Sequence, residues 1–212
     1  VIASYTTPPM NSLTRHLTSH VLSPQIDYLS SCRPLSISMG NAIRWLKLNI
    51  ANIDPSMPDT EAKRKLCDAI DIFISERITF AHQIISKSAA ERIRDGDVIL
   101  TYAKSSVVQK ALVYAFRQGK KFQVIVVDSR PLNEGKHLAA CLVGLGIETK
   151  YCLLNGLSHN IHDVTKVFLG AHAMMSNGRL FSRSGTAIVA MEANEASKPV
   201  IVLCETIKFT EK

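Results

Sequence analysis

The spacing of apolar residues predicts a long amphipathic helix in the first half of the chain. Between residues 66 and 89, apolar side chains recur at steps of three and four, which is the period of a helix with one buried face. Asp59 or Thr60 can cap its start, because short polar side chains accept hydrogen bonds from the free N–H groups of a first turn. We expect it to end at Arg94-Asp95-Gly96, where a cation and a glycine follow the last periodic residues.

Shorter helical patterns precede this helix. Thr6-Thr7-Pro8-Pro9 is typical of a helix start and predicts a helix that runs to about His20. We expect Ser23-Pro24 to break the helix, since proline lacks an N–H group and clashes with the preceding turn. A second boundary is predicted at Cys32-Arg33-Pro34, followed by a helix over residues 36–50.

After Gly96 the pattern changes to short apolar runs that alternate with helical stretches. Apolar runs lie at residues 98–100 and 122–127, and further strand candidates lie at residues 147–154, 167–169 and 200–203. The helical stretches lie at residues 105–118, 134–145 and 185–196. Such alternation indicates right-handed βαβ units and a parallel sheet. We predict an α/β protein: an N-terminal helical domain (residues 1–95), then a Rossmann-like open parallel sheet with flanking helices (residues 96–212).

Composition limits the class of protein. The chain has 212 residues, of which 46% are hydrophobic, and no apolar run approaches the roughly 20 residues that span a membrane. We find no signal-peptide pattern, and the first residue, Val1, suggests that sequence upstream is missing. The five cysteines are scattered without a Cys-x-x-Cys pair, which favours free thiols in a reducing compartment. We therefore expect a cytoplasmic protein that uses no membrane.

Positive charge is concentrated in one part of the sequence. Of the formal net charge of +7, five charges lie between Asp97 and Asp128, a stretch without acidic residues. Within it, Lys110 and Arg117 share one side of a predicted helix, with Lys104 nearby. This side is either a surface for an acidic or phosphorylated partner, or a solvated helix face. Nucleic acid is not expected, because few aromatic residues accompany the cations.

The predicted strand ends hold the candidate chemistry, because open parallel sheets bind ligands beyond the carboxyl ends of their strands. Arg130 could bind a phosphate, or it could form a structural ion pair with Asp128. His172 is either an acid–base group or a hydrogen-bonded pocket histidine. His159 and His162 lie in a Ser/Asn loop and are interpreted as a turn, so no metal site is predicted.

Several of these segments resemble sugar-phosphate isomerases related to methylthioribose-1-phosphate and ribose-1,5-bisphosphate isomerase. Residues 164–191, with a Gly-Ala turn, an Asn-Gly pair and Ser-Gly-Thr before a helix, carry most of this likeness, and Arg33-Pro34 is similar to that family's phosphate-approaching segment. The resemblance implies an ancestral pocket formed by Arg33, Asp128, Arg130, His172, Asn177 and Arg183. The family's catalytic Cys and Asp fall at Ala103 and His172, and a methyl group cannot act as acid, base or nucleophile.

Four segments narrow the resemblance to the regulatory subunits of eukaryotic translation initiation factor 2B, and to the C-terminal region of the delta type in particular. They are residues 5–9, 32–43, 126–131, and 169–173 together with 204–209. The match runs over essentially the whole chain. Because the isomerases continue with further strand and helix units, we expect the sheet to be incomplete at its C-terminus.

This resemblance implies a place in a large assembly. In that family the alpha, beta and delta subunits form the regulatory core of a decameric factor that exchanges GDP for GTP on translation initiation factor 2. The core binds the alpha subunit of the substrate factor and senses its phosphorylation, while catalysis lies in other subunits. The implied partners are the beta, alpha, gamma and epsilon subunits and initiation factor 2, in both phosphorylation states.

The sequence therefore predicts a regulatory and scaffold subunit without catalytic residues, cofactor or metal. Two alternatives remain open. One is an active sugar-phosphate isomerase, and the other is a sensor that binds a sugar phosphate or a nucleotide in the ancestral pocket without turnover.

Overall fold

The computed structural model describes residues 1–8 and 13–211, which form two compact units. The first unit consists of Val1–Phe80 with Ile207–Phe209, and the second of Ala81–Thr206 with Thr210–Lys212. Among the described residues, no helix has both the length and the apolar character needed to cross a membrane. The predicted domains, residues 1–95 and 96–212, stay a prediction, because the two compact units are defined by their internal packing and not as domains.

The first unit is helical, as the sequence predicts. Its helices are α1 (Leu13–His16), α2 (Ser23–Cys32), α3 (Ile37–Ala51) and α4 (Asp59–Ile74), with π-helical segments at Leu17–Leu22 and Ser75–Phe80. Helix α3 begins after Ser36, whose hydroxyl accepts a hydrogen bond from the Met39 N–H at 3.3 Å. Helix α4 carries Asp59 and Glu61 in its first turn, where negative charge offsets the helix dipole.

Helical structure continues through Ser23-Pro24, so the break predicted there is wrong. The π-helical segment ends directly before α2, and the Ser23 N–H pairs with the Thr18 carbonyl five residues earlier. In this wider turn the hydrogen bonds skip one residue more than in an α-helix. The helix can therefore continue past Pro24, which has no N–H to donate. The predicted helix start includes Pro9, which lies outside the described residues.

A small apolar core holds the first unit together. Its buried residues are Ile2, Leu13, Leu17, Leu22, Ile50, Ile53, Ala62 and Leu66. Trp45 stacks on Phe73 with 4.2 Å between ring centroids, which joins α3 to α4. The Asn41 side-chain amide donates hydrogen bonds to the carbonyl oxygens of Ile207 and Phe209, both at 2.8 Å, and so ties this late segment to α3.

The second unit is the predicted parallel sheet with flanking helices, which confirms the fold class. After α5 (Ala81–Glu91), its helices and strands are β1 (Val98–Tyr102), α6 (Ser106–Arg117), β2 (Gln123–Asp128), α7 (Glu134–Gly144), β3 (Glu148–Leu153), α8 (Leu157–Asn160), β4 (Lys166–Gly170), β5 (Ala173–Met175), β6 (Leu180–Phe181), α9 (Thr186–Glu195) and β7 (Val200–Leu203). Strand β8 (Phe209–Thr210) contains Phe209 of the first unit and Thr210 of the second. The large sheet has the order β3-β2-β1-β4-β7, and its pairings are parallel.

Helices cover both faces of this sheet. On one face, Ile99, Val126 and Phe168 pack with α5, α6 and α7. On the other, Leu100 and Leu169 pack with α8 and α9. Because both faces of the central strands are buried, β1, β2 and β4 contain continuous apolar runs, and this is why their positions are predictable. Strand β3, at the edge of the sheet, is exposed or half-buried along its length and carries polar residues.

The short strands and helices are harder to predict from the sequence. Strands β5 and β6 pair as an antiparallel hairpin around Asn177-Gly178, the Asn-Gly pair noted within residues 164–191. These strands have three and two residues, too few for a period to be recognised. Helix α8 and strand β8 are missed for the same reason.

Acid stability offers a test of one polar contact at the start of β1. Asp97 is buried, which raises the pKa of its carboxyl, but bonds from Lys166, from the Arg94 N–H and from the Thr165 hydroxyl outweigh this and lower it overall. A pKa lower in the folded than in the unfolded state adds stability above about pH 4, and this stability is lost as the pH falls through the folded value.

We therefore expect Asp97→Asn to make the free energy of unfolding depend less on pH in the acid range. The measurement is urea unfolding from pH 7 to pH 2. The loss of stability relative to the wild-type chain should be largest at neutral pH and should shrink below about pH 4. Lys166→Met is the matched control, because it leaves a buried carboxylate that acid can neutralise, so its deficit should also shrink in acid. A constant difference across the whole pH range for both variants would contradict this assignment.

Candidate functional site

The candidate site lies at the carboxyl ends of β1 and β4. Along the chain, β1 to β3 extend the sheet in one direction, whereas β4 and β7 extend it in the other. In sheets of this kind the strand order reverses between the two central strands, and ligands bind in the crevice beyond their carboxyl ends. The candidate site residues of the second unit lie at the ends of its strands or in the segments that follow them.

The segment after β1 contains Ala103, the position at which the resemblance to isomerases predicts their catalytic cysteine. Ala103 is buried and in a left-handed backbone conformation with φ of 54°. Ser105 follows and caps α6, with its hydroxyl 3.5 Å from the Val108 N–H. The Ser105 side chain also lies against Gly170 at the end of β4, so closely that a Cβ on Gly170 would come within 2.5 Å of Ser105 Oγ.

Asp128, at the end of β2, is a structural acceptor. It is 1% exposed, and its carboxylate accepts hydrogen bonds from the Ser129 N–H at 2.9 Å, the Lys136 N–H at 3.1 Å and the Tyr151 hydroxyl at 3.2 Å. Burial and the Asp128 charge raise the pKa of Tyr151, so the phenol keeps the proton that it donates. Asp128 thus joins the loop after β2 to α7 and β3.

Arg130 does not form the ion pair with Asp128 that we considered. Its side chain is exposed, and within the described part of the chain it makes neither a hydrogen bond nor an ion pair. The peptide bond between Arg130 and Pro131 is cis. Arg183, before α9, pairs with Glu134 in the first turn of α7, with 2.5 Å between Nη1 and Oε2. Arg130 is therefore available for an anion, whereas Arg183 is engaged.

His172 and Asn177 lie in different surroundings. His172 is exposed in the turn after β4, with its ring 6.4 Å from that of Phe181 and tilted by 59°. Asn177 lies at the exposed tip of the β5–β6 hairpin, where its side-chain oxygen accepts a hydrogen bond from the Arg179 N–H at 3.0 Å. That contact is typical of a turn. Arg33 belongs to the first unit, where it is exposed directly after α2.

Tyr102, a residue that sequence reasoning missed, makes two short hydrogen-bond contacts at this edge. The Tyr102 hydroxyl lies 2.6 Å from the Ser184 carbonyl oxygen and 2.8 Å from Ser129 Oγ. Because a carbonyl can only accept, the phenol proton goes to Ser184, and the Ser129 hydroxyl can donate in return. The one available signal was an aromatic residue at a predicted strand end, next to Ala103.

The predicted basic face is present on α6. Val108, Leu112 and Ala115 are buried against the sheet, while Lys104, Lys110 and Arg117 are exposed, as expected from their spacing.

A hydrogen-bonded chain connects this face to the interior of the second unit. Lys110 Nζ lies 2.9 Å from Nδ1 of His82 on α5, and His82 Nε2 lies 2.7 Å from Oε1 of the buried Glu205. A lysine ammonium can only donate, so His82 accepts at Nδ1 and donates at Nε2. This network fixes the direction in which Lys110 leaves the helix.

Within the described residues, no three His, Cys, Asp or Glu side chains are grouped as metal ligands would be. The cysteines, all of which the structure describes, form no disulfide, and none of them lies in the segment directly after β1. Burial raises the pKa of Cys152, which keeps that thiol protonated. What the edge offers is a set of hydrogen-bonded loops and exposed cations.

Comparison with known proteins gives a consistent family. A family model described as the initiation factor 2 subunit family matches residues 1–212. The translation initiation factor eIF2B subunit delta of Schizosaccharomyces pombe is 51% identical over 212 residues, which is 100% of this chain and 45% of that protein. The chain thus spans less than half the length of this relative.

A solved complex and an enzyme complete the comparison. A chain of the tetrameric eIF2B-beta2-delta2 complex from C. thermophilum superposes with a TM-score of 0.96 and 47% identity, covering 100% of this chain and 68% of that one. The ribose 1,5-bisphosphate isomerase of Pyrococcus furiosus is 34% identical over 199 residues, which is 91% of this chain and 60% of the enzyme.

Proposed function

Because the chain belongs to the initiation factor 2 subunit family, we propose that it is a delta-type regulatory and scaffold subunit of the guanine nucleotide exchange factor for translation initiation factor 2. The observation that carries this proposal is the match of the whole of this chain to part of a delta subunit at 51% identity. The identity to an isomerase is 34%, over a smaller part of the chain.

We further propose that its partners are the beta, alpha, gamma and epsilon subunits of the same factor. The similarity to a chain of a beta2-delta2 complex supports the beta subunit first. The exchange reaction itself would be catalysed by other subunits, and the assembly would act in the cytoplasm. The substrate factor would be recognised through its alpha subunit, in both phosphorylation states, and binding of the phosphorylated form would inhibit exchange.

The residues at the carboxyl edge support a function without turnover. Ala103 has no proton to transfer and no nucleophilic atom, and it follows the strand at which the isomerases place their cysteine. His172 is exposed in a turn, and an exposed imidazole lacks the water-excluding surroundings in which acid–base catalysis is effective.

An active isomerase is the second candidate, favoured by the 34% identity to the Pyrococcus furiosus enzyme. A turnover assay separates the two functions. With ribose 1,5-bisphosphate and methylthioribose 1-phosphate as substrates, the wild-type chain should show no turnover above a heat-inactivated sample. Measurable turnover that His172→Ala abolishes would overturn the regulatory proposal.

The basic face of α6 is proposed as part of the surface for an acidic or phosphorylated partner. Charge reversal by Lys110→Glu with Arg117→Glu should weaken binding of phosphorylated initiation factor 2 to the assembled exchange factor by about tenfold, because opposed charges at an interface are replaced by like charges. Binding is measured by surface plasmon resonance at two salt concentrations, and the difference should shrink at high salt.

The matched control for that charge reversal is Lys150→Glu with Arg179→Glu. This pair makes the same change in net charge at exposed positions outside α6. Equal affinities for the two double variants would show that only net charge matters. Unchanged affinity for the α6 variant would leave this side of the helix as an ordinary solvated face.

A further inference from the structure

The crevice between β1 and β4 is filled by the chain's own side chains. This is the place at which the strand order reverses, and a doubly wound sheet commonly binds its ligand there. Tyr102, the last residue of β1, is only 6% exposed although it stands at a strand end. Its ring belongs to the apolar cluster that also contains Val189 of α9.

The Tyr102 hydroxyl bridges the two loops that border the crevice. One of its contacts is Ser129 Oγ, in the loop after β2, and the other is the carbonyl oxygen of Ser184, just before α9. Both distances, 2.8 and 2.6 Å, are those of good O–H···O hydrogen bonds. A single phenol oxygen therefore occupies the position from which a ligand oxygen could bond to both loops.

The backbone around Tyr102 leaves no spare room. A Cβ built on Gly185, at the start of α9, would lie 2.2 Å from the Tyr102 hydroxyl oxygen and 2.6 Å from the ring carbon that bears it. On the neighbouring side, a Cβ built on Gly170 would lie 2.5 Å from Ser105 Oγ. Tyr102 at the end of β1 thus packs on the start of α9, and Ser105 after β1 packs on the end of β4.

Cations nevertheless remain at this edge. Lys104 and Arg130 are exposed in the segments after β1 and β2, and Arg130 has no ion-pair partner within the described part of the chain. Phosphate monoesters are bound by such cations together with hydroxyl groups and the backbone of a helix start. The edge therefore keeps groups that suit a phosphate, while its centre is occupied.

We propose that Tyr102 is an internal occupant of this crevice, and that its phenol takes the place of a ligand oxygen and keeps the carboxyl edge closed to sugar phosphates. This inference rests on the proposed non-catalytic function and deepens it, because it names the side chain that excludes the ligand. Ala103 accounts for the absence of a reaction, and Tyr102 accounts for the exclusion of the substrate.

The test measures ligand binding by isothermal titration calorimetry on the full chain, with inorganic phosphate and ribose 1,5-bisphosphate as the two probes. The wild-type chain should give no saturable heat. Tyr102→Ala should bind at least one probe, with an affinity at least tenfold above the wild-type limit. Tyr102→Phe keeps the ring and loses only the hydroxyl, so it is the matched control and should stay closed.

Amide signals of Ser129 and Gly185 in NMR spectra locate the binding. Saturable binding to the wild-type chain that shifts these signals would overturn the proposal. A Tyr102→Ala chain that keeps the wild-type far-ultraviolet circular dichroism and binds neither probe would overturn it as well. If Tyr102→Ala does not fold, Tyr102→His provides the smaller side chain, and the same two outcomes apply.

The two proposals fail separately. Absence of binding in a folded Tyr102 variant removes the internal occupant but leaves the regulatory function standing. Turnover by the wild-type chain removes the regulatory function, whatever the variants bind.

Discussion

Gly185→Ala is expected to lower the free energy of unfolding by about 2–5 kcal/mol, because it combines backbone strain with a steric clash. Gly185 has φ of 98°, a conformation that side-chain-bearing residues rarely adopt. The added Cβ would also lie 2.2 Å from the Tyr102 hydroxyl oxygen. Tyr102 cannot easily give way, since its hydroxyl is hydrogen-bonded on two sides. Urea unfolding followed by circular dichroism measures the loss.

Gly178→Ala is the matched control for the strain. Gly178 has φ of 78°, and nothing lies within 4 Å of an added Cβ. Its substitution should therefore cost only the strain of the left-handed conformation, about 1–2 kcal/mol. In a Tyr102→Ala background, Gly185→Ala should approach this smaller value, because the clash is gone. Equal costs for Gly185→Ala with and without Tyr102 would contradict the close packing on which the internal occupant depends.

Asp128→Ala is the second large effect, with an expected loss of about 2–4 kcal/mol of unfolding free energy. The substitution removes the acceptor of three hydrogen bonds, from the Ser129 and Lys136 N–H groups and the Tyr151 hydroxyl. At a site that is 1% exposed, water cannot readily replace the lost acceptor. Each donor left without a partner adds the cost of its desolvation.

Two milder variants separate the contributions at Asp128. Tyr151→Phe removes one donor and should cost about 1 kcal/mol, because the carboxylate keeps its backbone partners. Asp128→Asn keeps the shape but turns one acceptor into a donor, so it should fall between Tyr151→Phe and Asp128→Ala. All three are compared by urea unfolding at pH 7. An Asp128→Ala chain as stable as the wild type would show that Asp128 does not hold the loop after β2.

The large elements of the second unit could be predicted from the sequence because burial on both faces leaves a strong signal. Strands such as β2 and β4 read as apolar runs, and glycine ends the helical patterns between them. The break predicted at Ser23-Pro24 is wrong, and the spacing of apolar residues could not have shown why. A π-helical turn accommodates the proline, and its formation depends on packing in three dimensions rather than on local sequence.

The site was only partly predictable. Asp128 and Arg130 are two residues apart in the sequence, which suggested an ion pair, but the carboxylate accepts hydrogen bonds from two backbone N–H groups and the Tyr151 hydroxyl instead. Tyr102 escaped notice because its partners, Ser129 and Ser184, are distant in sequence and meet it only when the strand ends come together. A resemblance to isomerases drew attention to Ala103 and His172, the positions at which that family's catalytic residues are predicted, rather than to Tyr102.

Native mass spectrometry of this chain, expressed alone and together with a beta subunit, tests the proposed scaffold function most directly. We expect a stable one-to-one complex with the beta subunit that grows into a larger assembly when the alpha subunit is added. A self-sufficient homo-oligomer that ignores both partners would contradict the regulatory function and would return attention to the carboxyl edge as a possible substrate site.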